Sequence, residues 1–137
     1  MDSQVREAIA EPPKGTITMP QPVPVETALA LVFDAAAVKA LATAEQKGWW
    51  DQDGPQKDGE QIALMHSELS EALEALRNGD PESEKIPGFK SSEEEYADVI
   101  IRIMNHGAKR GLRVGAAIAA KMAYNETRPH KHGGKLF

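Results

Sequence analysis

Apolar residues recur at helical spacing along most of the chain after residue 25, and no stretch alternates apolar and polar residues as a strand would. Gly48, Gly79 and Gly111 each follow a helical run, and Pro129 follows the last one. The sequence therefore predicts an all-α fold, a bundle of four to five helices that includes helices at about 26–47, 58–78, 91–111 and 114–127.

Two of these helices carry patterns that predict how they pack. The third begins at Ser91-Ser92, with Glu three residues later, which is the pattern of a capping box. Its apolar residues cover most of its circumference, so we expect it to be buried on several sides. The second helix carries one apolar stripe, which consists of Ile62, Met65, Leu69, Leu73 and Leu76.

The first 25 residues differ from the rest in composition. They hold five of the nine prolines and little periodicity, which predicts an extended or poorly ordered arm. An arm that wraps a partner subunit is the alternative. We therefore divide the chain into an arm at 1–25 and one helical domain at 26–137.

Composition narrows the class of protein. The chain has 137 residues, of which 41% are hydrophobic, and this suits one domain with an aliphatic core. Its formal charge of −5 argues against binding to a nucleic-acid polymer, and the absence of cysteine excludes disulfides and thiolate metal sites. Asp34 and Lys39 interrupt the most apolar run, and no secretory signal is visible, so we expect a cytoplasmic protein with no membrane partner.

Two pairs of carboxylates are the candidate chemistry. Glu68 and Glu71 share one face of the second helix, and Glu95 and Asp98 share one face of the third. Helices joined by a short loop are usually antiparallel neighbours, so the pairs can face each other. Four converging carboxylates repel unless a hard cation such as Mg²⁺ neutralises them. Arg102, one turn after Asp98, is the alternative partner that would need no metal.

Candidate substrate contacts lie toward the two ends of the helical region. Trp49 and Trp50 follow the first helix, and either indole face is suited to stacking on a base or to plugging the bundle. Basic and amide side chains at one-turn intervals near the C-terminus suit a polyphosphate, with a tail that closes over it. Lys121, Asn125 and Arg128 lie about one turn apart, and Lys135 follows in the glycine-flanked tail.

These motifs together resemble the MazG-like branch of the all-α nucleoside triphosphate pyrophosphohydrolases. The similar segments are HSELSEALEALRNGDP, EEEYADVIIRI and KMAYNETRPHKHGGK, and the resemblance covers roughly residues 26–137. It implies packed helices assembled as a dimer or tetramer, and cleavage of a nucleoside triphosphate to a monophosphate and pyrophosphate. It also implies Mg²⁺, with Mn²⁺ as an alternative ion, held by Glu68, Glu71, Glu95 and Asp98. Two alternatives stay open: a phosphoribosyl-ATP pyrophosphohydrolase, and a non-catalytic helical interaction module.

Overall fold

The computed structural model describes residues 22–130 and is all-helical over that range. Only an isolated bridge between Glu82 and Lys90 departs from helix and loop in this part of the chain. The all-α prediction is confirmed, and the arm at 1–25 lies almost wholly outside the described residues. The helices are α1 (Val25–Gln46), α2 (Pro55–Arg77), α3 (Ser91–Lys109) and α4 (Val114–Glu126).

The ends of the helices follow local chemistry. Helix α2 begins three residues before the predicted start, at Pro55, because proline suits a first turn in which its missing N–H is not needed. Gly79 has φ +84°, a left-handed conformation that ends α2 as predicted. Helices α2 and α3 pack against each other, whereas α1 packs against α3 and α4 rather than against α2.

The predicted capping box at Ser91 or Ser92 is wrong in position. The residue that caps α3 is Lys90, whose N–H donates to the Glu93 carboxylate over 2.7 Å. Asp80, in the preceding loop, accepts from the N–H and the hydroxyl of Ser92 at 2.9 and 2.8 Å. These bonds keep the pKa of Asp80 below its usual value. A loop carboxylate therefore satisfies one free amide in the first turn of α3, that of Ser92.

Helices α2 and α3 are antiparallel, as predicted. The start of α2 meets the end of α3, where Arg110 donates to Asp58 over 2.6 Å. Further along α2, Glu68 pairs with Arg102. Helix α3 also packs against α1, and α1 packs against α4. Helix α3 is therefore central to the described fold, with α2 on one side and α1 on another.

One arginine fixes the loop between α1 and α2 to the end of α3. Arg110 binds both oxygens of Asp53, at 2.9 and 2.6 Å, and its Nε reaches Asp58. Hydrogen bonds from Arg110 hold the pKa of both carboxyls below the usual range. In the same loop, the buried Trp50 donates from Nε1 to Asn105 over 2.8 Å. The loop that carries both tryptophans is therefore held in a defined position.

The apolar stripe of α2 does not face the interior of the chain. Its members Ile62, Leu69, Leu73 and Leu76 are 46–50% exposed, whereas Gln61, Glu68 and Ala72 are buried. Ile100 and Ile101 of α3 are also exposed, so the described part of a single chain covers α3 with α1 and α2 but not on every side. The reason is geometric, because α2 turns its polar and small residues toward α3. Among the described residues, no large side chain is fully buried.

Helix α1 is long and apolar enough to cross a membrane by length and composition alone. It has 22 residues, and its most apolar window has a mean hydropathy of 1.6 and is 17% buried. Core helices of soluble proteins meet the same test, so this is weak evidence. In the fold, α1 makes a close contact with α4, where a Cβ on Gly115 would lie 2.7 Å from the carbonyl oxygen of Ala30. The Gly115 N–H also donates to Asp34 over 3.3 Å.

Candidate metal centre

Three of the four candidate carboxylates converge where α2 faces α3. One oxygen from each of Glu68, Glu71 and Glu95 lies within 4.8 Å of the other two. Glu68 and Glu95 are buried, and Glu71 is exposed. The spacing of three residues on α2 and the antiparallel packing of α3 create this group. We call these three residues the carboxylate cluster.

The fourth candidate, Asp98, lies one turn beyond Glu95 and is half-buried. It is not among the three oxygens that group within 4.8 Å. Burial raises its pKa, and the negative charge of Glu68 raises it further. Asp98 therefore lies at the edge of the carboxylate cluster, close enough for the charge of Glu68 to raise its pKa.

Glu95 has the most strongly perturbed environment of the four. Burial, then the charge of Glu71 and a hydrogen bond with Glu68, raise its pKa from 4.5 to about 7. Its Oε2 is buried and accepts no hydrogen bond from the described residues. A buried carboxylate oxygen without a donor is costly, and a hard divalent cation would satisfy it. The residues present therefore fit a magnesium ion.

Arg102 pairs with Glu68 rather than with Asp98, so the metal-free pairing considered from the sequence is wrong. Its Nε and Nη2 lie 2.7 and 2.5 Å from one oxygen of Glu68. Because α3 runs antiparallel to α2, Arg102 lies opposite Glu68. Its charge lowers the pKa of Asp98 only as a minor effect. This arrangement offsets one negative charge and leaves Glu71, Glu95 and Asp98 without an arginine partner among residues 22–130.

A cavity of about 260 Å³ lies between the Trp49 loop, α2 and α3, and none of the four candidate carboxylates lines it. Arg102 lines this cavity and also contacts Glu68, which links the two features. Trp49, another lining residue, is 52% exposed. Gln61 is only 4% exposed and contributes an amide. Lys57, Glu60 and Leu64 complete the lining.

The two tryptophans occupy different environments. Trp50 is 6% exposed, and the cations of Lys109 and Arg110 lie 5.5 and 5.3 Å from the centre of its ring. This geometry gives Trp50 a packing role. Trp49 presents its indole to the cavity and to solvent, so it has the geometry of a stacking residue.

The candidate phosphate contacts near the C-terminus lie away from the cluster. Lys121, Asn125 and Arg128 are exposed, on α4 or just after it, and α4 packs against α1. Lys121 lies over the ring of Tyr124, 4.4 Å from its centre. Within residues 22–130, no hydrogen bond or ion pair joins these side chains to the four carboxylates. Lys135 and the predicted closing tail lie outside the described residues.

We expect the metal-free protein to lose stability as the pH rises from 5 to 8. Because folding raises the pKa of Glu95 from 4.5 to about 7, the folded protein keeps a proton that the unfolded chain releases. The free energy of unfolding therefore falls across this window, and the contribution is fully present only below pH 4.5. Thermal melts in EDTA measure the slope. Glu95→Gln cannot titrate and should flatten it, and equal slopes for the two proteins would contradict this cause.

Comparison with protein-family models, with curated proteins and with solved structures gave no match. The MazG-like resemblance therefore stays an expectation from the sequence motifs. Function is argued below from the residues of the centre and the cavity beside it.

Proposed function

We propose that this protein is a magnesium-dependent nucleoside triphosphate pyrophosphohydrolase. The observation that carries the proposal is the convergence of Glu68, Glu71 and Glu95 from two helices, with one buried oxygen of Glu95 left without a donor. Asp98 at the edge adds a fourth acidic ligand. Such an all-oxygen donor set suits Mg²⁺, which usually completes its shell with water and substrate phosphates. The MazG-like resemblance of the same residues supports the reaction.

The chemistry of the site follows from its charges. Glu68, Glu71, Glu95 and Asp98 would hold magnesium, which when bound acidifies water and offsets the charge of a triphosphate. The oxygen of water bonds to the α-phosphorus, the bond from that phosphorus to the bridging oxygen breaks, and pyrophosphate leaves with that oxygen. A carboxylate of the cluster accepts the proton of the water. Arg102 holds Glu68 in position throughout.

The cavity beside the cluster is the proposed place for the nucleoside. The exposed indole of Trp49 is suited to stacking on a base. The buried amide of Gln61 offers both a donor and an acceptor to a base edge. Because Arg102 lines the cavity and contacts Glu68, a nucleotide lying there would direct its phosphates toward the carboxylates.

Pyrophosphate release from a nucleotide panel tests the proposal. We expect release from nucleoside or deoxynucleoside triphosphates with Mg²⁺ or Mn²⁺, none in EDTA, and an equal amount of monophosphate. Turnover of phosphoribosyl-ATP alone would favour the alternative hydrolase. No turnover of any nucleotide and no binding of Mg²⁺ would favour the non-catalytic interaction module and contradict the proposal.

We also propose that the chain self-associates as a dimer or tetramer. The stripe on α2 that includes Leu69, Leu73 and Leu76 is half-exposed in a single chain, and monomeric proteins rarely expose large contiguous apolar patches. A second copy presents the same stripe, so a two-fold interface would bury both at once. Coverage of this kind supplies the large buried side chains that the described part of one chain lacks.

A further inference from the structure

The loop between α2 and α3 places one lysine beside the carboxylate cluster. The Nζ of Lys85 forms an ion pair with one oxygen of Glu94, and the hydroxyl of Ser83 donates to the other oxygen. Glu94 is buried and directly precedes Glu95 on α3. It also lies one helical turn before Asp98. The ammonium group of Lys85 is therefore held at the acidic end of α3, next to two of the proposed metal ligands.

The loop that carries Lys85 is well fixed by its own hydrogen bonds. The N–H of Ser83 donates to the carbonyl of Phe89 over 2.8 Å, and the Ser83 hydroxyl accepts from the N–H of Ile86 over 3.0 Å. The Glu82 carboxylate accepts from the N–H of Gly88 over 2.7 Å. Ser83 itself is 3% exposed. The backbone of the loop is thus anchored on both sides of Lys85.

The side chain of Lys85 is largely exposed to solvent although its loop is fixed. It is 72% exposed, whereas its partner Glu94 is 10% exposed. A lysine has four rotatable bonds and can reach different acceptors from one backbone position. The positive charge of Lys85 partly opposes the rise in the pKa of Glu95 and of Asp98, and the negative charges of these two carboxylates raise the pKa of Lys85. These mutual effects agree with the position of Lys85 beside both residues. Arg102, the other cation at the cluster, is committed to Glu68.

We propose that Lys85 is a polyphosphate-binding residue of this centre. In the metal-free protein its ammonium group pairs with Glu94 and offsets part of the negative charge around Glu95. When a magnesium triphosphate enters, the same ammonium group turns to the phosphate oxygens that lie beyond the ion. Within residues 22–130, Lys121, Asn125 and Arg128 form no hydrogen bond or ion pair with the cluster and Arg102 is committed to Glu68, so Lys85 is the cation of the described fold that can turn to a ligand there. This inference rests on the proposed function.

The test uses the full chain and the variant Lys85→Met, which removes the charge and keeps the length of the side chain. Titration calorimetry measures two affinities, for Mn²⁺ alone and for inorganic tripolyphosphate at saturating Mg²⁺. We expect Mn²⁺ to bind a few-fold more tightly because a competing cation is gone. Tripolyphosphate should bind about tenfold more weakly, because a charge-assisted contact is lost. The KM for the best nucleotide should rise with it.

Two further variants identify the cause. Lys85→Arg should restore most of the tripolyphosphate affinity, and Lys39→Met, at an exposed lysine of α1, should change neither affinity. If Lys85→Met weakens Mn²⁺ and tripolyphosphate binding together and Lys85→Arg rescues neither, Lys85 acts through loop structure and the inference is wrong. Unchanged tripolyphosphate affinity in Lys85→Met would overturn it while the hydrolase proposal stands. A wild-type protein that neither binds Mn²⁺ nor releases pyrophosphate would overturn both.

Discussion

Glu95→Gln is expected to lower pyrophosphate release by about a thousandfold while the helical circular dichroism stays unchanged. The amide has nearly the same shape as the carboxyl group but carries no charge for a metal ion. Because burial already disfavours the ionised form of Glu95, the metal-free variant should be at least as stable as the wild type at pH 8. Activity at limiting Mg²⁺ measures the first consequence, and thermal melts of the metal-free proteins at pH 8 measure the second.

The control for this variant lies on α2. Glu74→Gln changes an exposed glutamate outside the carboxylate cluster, whose contacts are with Asn78 and Arg77, and should leave turnover unchanged. Glu71→Gln provides a second test at an exposed member of the cluster, where misfolding is not a concern. It should lose activity as well. Wild-type turnover in both Glu95→Gln and Glu71→Gln would remove the basis for a metal centre.

The local features of the fold could be read from the sequence because they depend on neighbouring residues. Gly79 ends α2 and Pro129 follows α4, since these residues restrict or permit backbone conformations whatever lies around them. The spacing of Glu68 and Glu71 puts them on one side of a helix in the same way. The short loop between α2 and α3 made antiparallel packing the expected arrangement.

The orientation of α2 could not be predicted in the same way. Periodicity shows which residues share a face, but it does not show what that face contacts. The stripe containing Leu73 is compatible with a contact to another helix of the same chain or to a second chain. In the fold, α2 turns Gln61, Glu68 and Ala72 toward the interior, and this orientation brings Glu68 to Glu95. The exposed stripe and the buried carboxylates have the same cause, because the acidic face of α2 can contact α3 only if the apolar stripe faces away from α3.

Contacts between distant residues were also missed, because ion pairs have no period in the sequence. Arg110 joins Asp53 and Asp58 across more than fifty residues, and Lys85 reaches Glu94 from a loop. From the sequence alone, Arg110 and Lys85 could equally well be interpreted as solvated surface charges. Their partners become clear only when the helices are placed. The sequence does contain one signal for Lys85, which is its position in the loop that joins the two helices carrying the candidate carboxylates.

Leu73→Glu is expected to convert the assembled protein into a 14.9 kDa single chain with a lower melting temperature. Leu73 is 48% exposed in the described chain and lies between Leu69 and Leu76 on the α2 stripe. A carboxylate at this position would be buried without a partner in a two-fold interface, and each copy would bring one. Light scattering and sedimentation at micromolar concentration measure the mass.

The matched control is Ala63→Glu, at an exposed position of α2 about 100° around the helix from Ile62, which should leave the assembly intact. A wild-type protein that is a stable folded single chain, or a Leu73→Glu variant that assembles as the wild type does, would show that the stripe is not the interface.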